Sequence, residues 1–184
     1  MSSSVLRKRV VSRLSEISDQ RGVYVLLPKS LDYDQLSQEV VRCVTKNFGF
    51  SGVYVTLNKS HCDLVTEFKK RKINVSNLSF IDNVEVIGGC GADNCIFLDG
   101  NNSLTALSFA ISKACKRGSV SFLFFDSLST ILLNHKLAAT KKFIHYLINK
   151  IQNLDLLILM PLEKKNSKKL AHILSPLCTE IIDV

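Results

Sequence analysis

The sequence predicts a three-layer α/β domain in which a mostly parallel sheet is flanked by helices on both faces. Apolar strands alternate with amphipathic helices along the chain, which is typical of parallel sheets that are covered on both sides. The stretch GVYVLLPKS at 22–30 returns as GVYVTLNKS at 52–60. Because this spacing is about the length of one strand–helix unit, we interpret the two stretches as the first two strands, in neighbouring units of one sheet, and not as a duplicated binding loop.

Length and composition favour one globular domain. The chain has 184 residues, of which 46% are hydrophobic, and this is enough to form a core. No apolar run reaches the roughly 18 residues of a membrane span, and the basic start lacks the continuous apolar region of a secretory signal. We therefore expect a cytoplasmic protein without a membrane span, with an amphipathic basic leading helix in residues 1–20 and a single α/β domain in residues 21–184.

The helices are predicted from apolar residues at helical spacing and from capping residues at their ends. Asp32 and Gln35 have the spacing of a capping box, and Ser103 is the expected N-cap of a helix that stops before Gly118. In the leading helix the apolar residues are Leu6, Val10, Leu14 and Ile17. The other predicted helices cover 32–50, 61–72, 103–118, 135–154 and 164–177.

The strands are predicted from short, strongly apolar runs that are bounded by glycine or polar residues. The predicted strands cover 22–27, 52–57, 78–82, 95–99, 120–126, 155–161 and 178–184. In sheets of this kind, ligands gather at the carboxyl ends of the strands. The residues that follow each strand are therefore the candidates for a functional site.

The net charge of +8 comes largely from basic clusters at 7–9, 69–72, 141–142 and 164–169. Such a surface attracts nucleic acid or acidic partners, although lysines at helix ends also complement the helix dipole and solvate the surface. Nucleic acid is a candidate partner on this ground, but the clusters lack the interleaved aromatic residues that stack on bases.

The six cysteines are interpreted as buried free thiols, because they are scattered along the chain, mostly within the predicted strands and helices. Cys90 and Cys95 have a C-x4-C spacing in a glycine-rich loop, but a zinc site needs a second pair or histidines as well. The four histidines are isolated from one another along the chain. No metal site is predicted.

The segment 120–152, VSFLFFDSLSTILLNHKLAATKKFIHYLINKIQ, resembles the Walker B strand and following helix of KaiC-like ATPases of the archaeal type, which belong to the RecA superfamily. In that family a hydrophobic strand ends in Asp-Ser-Leu-Ser/Thr. The stretches YVTLNKS…INVSNLSFID and LSPLCTEIIDV resemble other strands of the family. The resemblance covers residues 20–184 and implies a RecA-like P-loop NTPase fold, with Asp126 coordinating magnesium through water.

The chain departs from this family where the phosphates of ATP would bind. A P-loop needs G-x-x-x-x-G-K-[ST] after the first strand, so that backbone amides and a lysine surround the phosphates. In the matching stretch, 28–35, Pro28 and Tyr33 replace the glycines, Asp34 replaces the lysine and Gln35 replaces the hydroxyl. Lys29 and Ser30 mimic the end of the motif but come too early. The sequence predicts a degenerate Walker A motif without a phosphate cradle.

The second strand lacks the family's catalytic residues as well. The resemblance places a pair of catalytic glutamates directly after this strand, where the chain has Asn58 and Lys59. Neither side chain is a general base at neutral pH. Asp126 remains, but one carboxylate without a triphosphate holds magnesium poorly. The favoured role of Asp126 is to cap the turn at Ser127 and Ser129.

Other enzyme motifs are missing from the sequence. It contains no G-x-S-x-G, H-E-x-x-H or G-x-G-x-x-G motif. The glycine cluster at 88–91 is predicted to be a flexible loop, and His135 is expected to be solvated at a helix start and not catalytic.

The sequence therefore predicts a non-catalytic KaiC/RecA-like pseudo-ATPase domain for protein interaction, signalling or regulation, with the leading helix as a docking element. No catalytic residue and no cofactor are expected. One alternative is non-standard ATP and magnesium binding through the vestigial residues Lys29, Ser30, Asp126 and Ser127. The other is a basic DNA-binding accessory protein that resembles recombinase paralogues. A protein partner or self-association is expected.

Overall fold

A computed structural model describes residues 3–28, 33–84, 92–99, 103–116, 119–152, 154–162 and 167–184. The described residues form seven strands: β1 (Gly22–Leu27), β2 (Gly52–Thr56), β3 (Leu78–Asp82), β4 (Cys95–Phe97), β5 (Phe122–Asp126), β6 (Leu157–Pro161) and β7 (Glu180–Asp183). They also form seven α-helices: α1 (Ser3–Ser15), α2 (Tyr33–Arg42), α3 (His61–Lys70), α4 (Leu104–Cys115), α5 (Leu128–Asn134), α6 (Leu137–Gln152) and α7 (Ser167–Leu174).

The strands make one sheet in the order β4-β3-β2-β5-β6-β1-β7, and every neighbouring pair is parallel. Alternate residues along the strands enter two separate cores, as expected for a sheet with helices on both faces. Val53 and Val55 of β2 belong to the core that includes α4 and α6. Tyr54, between them, belongs to the core that includes α1, α2 and α3. The predicted three-layer α/β class is confirmed.

The leading helix is part of one of these layers. Its four predicted apolar residues are all buried, in the same core as Tyr54. The Arg7 side chain lies 2.9 Å from the carboxylate of Glu39 on α2, and Arg42 lies 3.3 Å from the same carboxylate. Most of the apolar face of α1 is thus buried within the domain, and its exposed surface is largely charged and polar, with Val5 as an exposed apolar residue.

The capping residues explain several helix boundaries. The Ser103 hydroxyl accepts a hydrogen bond from the Ala106 amide at 3.2 Å, which confirms the predicted N-cap. The predicted helix at 32–50 is shorter: α2 continues into a π-helical turn, Cys43–Asn47, which ends before Gly49 at φ +69°. Asp32 and Gly118 lie outside the described residues. Helix α5, which has only seven residues, is absent from the sequence prediction.

The cysteines follow the prediction in part. Cys43 and Cys115 are buried free thiols, and Cys95 and Cys178 are half-buried ones. Burial raises the pKa of Cys43 and of Cys115 to about 12, so neither is a reactive thiolate at neutral pH. Cys62 differs, since its sulfur is in a disulfide. Cys90 lies outside the described residues.

The repeated stretch forms β1 and β2, as predicted, but these strands are not neighbours. Strands β5 and β6 lie between them in the sheet. The equivalent tyrosines, Tyr24 and Tyr54, are both buried but have different partners. The Tyr24 hydroxyl donates to the Gln20 side chain at 3.0 Å, and the Tyr54 hydroxyl donates to Asp126. The second copy of the repeat therefore contributes to a polar cluster that the first copy does not reach.

No helix in the described part of the chain is both long enough and apolar enough to cross a membrane.

Candidate functional site

The candidate site lies where β2 and β5 end side by side. Thr56 at the end of β2 is paired with Asp126 at the end of β5. From β2 the chain continues to β3 on one side of the sheet, whereas from β5 it continues to β6 on the other side. A reversal of this kind, at the carboxyl ends of two neighbouring strands, is the usual ligand position in an open α/β sheet.

Asp126 is the centre of the site, and both of its carboxylate oxygens accept hydrogen bonds. Oδ1 accepts from the Tyr33 hydroxyl at 2.7 Å and from the Asn58 amide at 3.3 Å. Oδ2 accepts from the Tyr54 hydroxyl at 2.5 Å. Among the described residues, the donors are thus two phenols and one amide side chain, and not the turn at Ser127 and Ser129 that Asp126 is predicted to cap.

The electrostatics of the cluster follow from its burial. Asp126 is only 5% exposed, and burial raises its pKa, while the bonds from Tyr54 and Tyr33 oppose that rise. Burial also raises the pKa of Tyr54, and the charge of Asp126 raises it further. Tyr54 therefore keeps its proton and donates it to the carboxylate in a hydrogen bond.

Asn58 and Ser127 connect this carboxylate to α5. Asn58 lies just beyond β2, and its side-chain NH2 group donates to the Ser127 hydroxyl at 3.2 Å. Its side-chain oxygen, Oδ1, accepts from the Thr130 hydroxyl. Ser127 also lies 3.3 Å from the Thr130 hydroxyl. The polar groups after β2 are therefore bonded to the first turn of α5.

Lys59 forms a second polar cluster beside the first. Its ammonium lies 3.0 Å from a carboxylate oxygen of Asp34 and 3.0 Å from one of Glu67. Burial lowers the pKa of Lys59, but the bonds to Asp34 and Glu67 outweigh this effect and hold the pKa above its ordinary value. In the alignment that the resemblance implies, Asp34 takes the place of the P-loop lysine and Lys59 the place of a glutamate. These two opposite charges pair with each other.

A charge exchange tests this pair. We expect Asp34→Lys and Lys59→Glu each to lower the free energy of unfolding, because each places like charges together, and the double variant to recover part of the loss. The coupling energy should be about 1 kcal/mol, as the pair is partly exposed. Urea unfolding of the four proteins at low and high salt measures it. Additive single effects at low salt would show that the pair contributes nothing.

The structure brings together only part of the predicted site. Asp126 and Ser127 lie in the cluster, whereas Lys29 and Ser30 lie outside the described residues. His135 follows the last turn of α5, at the opposite end of that helix from Asp126. Within the described residues, no three side chains of the metal-binding types come together. The phenols of Tyr33 and Tyr54 are the site residues that sequence reasoning missed.

The described residues form a seven-stranded parallel sheet with helices on both faces and an aspartate at the end of β5, an arrangement that is consistent with a RecA-like α/β fold. Comparison with solved structures agrees. The chain is similar to a KaiC-like protein from the hyperthermophilic archaeon Pyrococcus horikoshii, with a TM-score of 0.68 and 16% identity over 89% of this chain and 72% of that chain.

A second similar structure is an uncharacterized protein from Pyrococcus horikoshii, solved in complex with an unknown peptide. Here the TM-score is 0.67 and the identity 9%, over 93% of this chain and 82% of that chain. No protein-family model matches the sequence, and no curated protein matches it. At these identities the likeness shows the fold alone, and that fold is KaiC/RecA-like, as the sequence predicts.

Proposed function

We propose that this chain is a non-catalytic KaiC/RecA-like pseudo-ATPase domain that acts in the cytoplasm through protein interaction, in signalling or regulation. One observation carries the proposal: both carboxylate oxygens of Asp126 accept hydrogen bonds from Tyr33, Tyr54 and Asn58. The carboxylate that would coordinate a magnesium ion is thus already hydrogen-bonded to side chains of the protein itself.

The phosphate side of the site supports the same conclusion. In the alignment that the resemblance implies, Tyr33 takes the place of the second glycine, and its phenol donates a hydrogen bond to Asp126. A side chain at this position would crowd a bound triphosphate. Asp34 follows it with a negative charge where the motif requires a lysine. Because like charges repel, this position opposes a polyphosphate instead of binding it.

The magnesium side of the site also fits poorly. Magnesium demands near-octahedral oxygen ligands and usually shares its carboxylate with substrate phosphates. To serve it, Asp126 would have to give up the bonds from two phenols, one of them from the buried Tyr54. Asn58 and Lys59 lack a basic group that could activate water at neutral pH. These residues do not fit a magnesium triphosphate, so the proposal assigns no cofactor.

The interaction half of the proposal rests on the fold and on the exposed surface. A RecA-like domain that has lost nucleotide chemistry would keep its protein interface for a regulatory or scaffolding role. One similar structure was solved with an unknown peptide, and we extend to this chain the idea that the fold binds peptide segments.

Calorimetric titration with Mg-ATP to millimolar concentration tests the proposal. We expect no saturable heat from the natural chain and no difference in Asp126→Asn, which keeps the shape of the side chain but removes its charge. Saturable binding that is lost in Asp126→Asn would overturn the proposal in favour of non-standard nucleotide binding. An ATP hydrolysis assay on the same samples should give the background rate.

A further inference from the structure

The outer layer made by α4, α5 and α6 is basic. From 103 to 154 the sequence has one acidic residue, Asp126, and seven lysines or arginines. Asp126 is buried in the site described above. The opposite layer carries acidic side chains, among them Glu39 and Glu67, but also basic clusters such as 7–9 and 69–72. What distinguishes the layer of α4, α5 and α6 is that its described residues between 103 and 154 include no exposed carboxylate.

This basic layer contains an apolar groove between α4 and α6, of about 520 Å³. We call it the α4–α6 groove. Its lining residues are Leu104, Thr105, Ser108, Phe109, Ala139, Lys142, Phe143, Tyr146 and Lys150. Phe109 is 67% exposed and Tyr146 is 49% exposed. Large aromatic side chains left this open beside an apolar groove are typical of a binding surface.

We propose that the α4–α6 groove binds an acidic amphipathic helix of a partner protein. An amphipathic helix places an apolar stripe in such a groove, where it would cover Phe109 and Phe143. Lys142 and Lys150 would meet carboxylates on its flank. The inference rests on the proposed interaction role and names the surface and the partner chemistry that this role would use.

The spacing of the lysines specifies the partner further. Lys142 and Lys150 are two helical turns apart on α6, which is about 12 Å along its axis. The Lys150 ammonium donates to the Tyr146 hydroxyl at 2.6 Å, which places it beside the groove. A helix that runs along α6 would satisfy both lysines with carboxylates placed about two turns apart.

Charge and polarity favour this occupant over two others. A second copy of the chain that docked through the same face would bring lysines against lysines, because a two-fold interface pairs a patch with itself. Nucleic acid would satisfy the lysines, and its bases would stack on exposed aromatic rings, but protein–nucleic acid interfaces are markedly polar, whereas apolar side chains such as Leu104 and Phe143 line this groove. A second groove, between α6 and α7, is lined with more polar side chains, among them His145, Asn149 and His172.

Three synthetic helical peptides test the proposal on the full chain. They share one leucine stripe at i, i+3, i+4 and i+7, and their polar faces carry glutamate, glutamine or lysine. At 50 mM salt we expect the glutamate peptide to bind at least 10-fold more tightly than the lysine peptide. The difference should shrink at 500 mM salt, where exposed charges are screened. Absence of glutamate-peptide binding, or equal binding of all three, would refute the proposal.

Matched variants locate the binding. Lys142→Glu/Lys150→Glu and Phe109→Ser should each weaken glutamate-peptide binding at least 10-fold. Lys113→Glu/Lys136→Glu makes the same charge change on exposed residues outside the groove, and Leu133→Ser removes a more exposed apolar side chain, so both should bind within 3-fold of the natural chain. Equal loss in the control variants would place the peptide elsewhere and overturn the assignment.

Two more measurements separate this inference from its alternatives. In the first, single-stranded DNA is tested as a competitor of the glutamate peptide. If the DNA displaces the peptide, and if DNA binding is lost in Phe109→Ser, the groove is assigned to nucleic acid instead. Asp126→Asn should leave peptide binding unchanged, because Asp126 is not among the groove residues. If Mg-ATP binds while the peptide results hold, the pseudo-ATPase proposal fails and the groove assignment stands.

Discussion

Gly52→Ala is expected to lower the free energy of unfolding by about 3 kcal/mol, which is at the upper end of the usual cost of overpacking a core. A Cβ at Gly52 would lie 2.3 to 2.5 Å from three ring carbons of Phe122. The Phe122 ring is fully buried, so it cannot turn toward solvent to make room. Urea or thermal unfolding measures the loss, and a midpoint shift of about 6 to 12 °C corresponds to it in a chain of this length.

Two further proteins show whether this contact is the cause. Gly49→Asn is the matched control, because a Cβ at Gly49 meets nothing within 4 Å and asparagine tolerates a positive φ. It should change stability by less than about 0.5 kcal/mol. Phe122→Leu should recover part of the stability when it is combined with Gly52→Ala. Strictly additive losses would mean that the ring and the new methyl group do not meet.

The sequence predicts the strands well because buried parallel strands are apolar on both faces. VSFLFFD contains β5, and GVYVLL is β1 in full. Helix α5 is not predicted from the sequence, because LSTILLN forms only two helical turns and Ser127 makes no side-chain cap. The order of the strands in the sheet is not predicted either. Two similar stretches thirty residues apart give no sign that β5 and β6 lie between them.

The site was predictable as far as single residues are concerned. Asp126 is indicated by its place at the end of the most apolar strand, and the reversed charges at Asp34 and Lys59 are visible in the motif. The ion pair between Asp34 and Lys59 is not predictable from the sequence, because it forms only when the fold brings α2 beside the end of β2. Tyr54 offered one signal: a buried tyrosine hydroxyl needs a partner. That the partner is 72 positions away follows only from the order of the strands.

Tyr54→Phe is expected to cost about 2 to 3 kcal/mol at neutral pH, because a hydrogen bond to a charged group is lost and a buried carboxylate oxygen is left without that donor. Tyr24→Phe is the matched control, because Tyr24 is the equivalent residue in the first copy of the repeat. Its ring is also buried, but its hydroxyl donates to the neutral and exposed side chain of Gln20. It should cost no more than about 1 kcal/mol. Equal costs for the two variants would show that Asp126 does not depend on the phenol.

The pH dependence separates the carboxylate from simple packing. Asp126 has a raised folded pKa, so above the ordinary aspartate value of about 3.9 the folded state binds more protons than the unfolded state. The free energy of unfolding therefore falls as the pH rises from the unfolded to the folded pKa of Asp126, and it levels off above the folded pKa.

In Tyr54→Phe the loss of the phenol donor raises the folded pKa of Asp126 further. The free energy of unfolding of this variant must therefore continue to fall to a higher pH. The cost of the substitution should thus be smallest near pH 4 and grow toward neutrality, and in an Asp126→Asn background this growth should disappear. A cost that is the same at every pH would assign Tyr54 to packing alone.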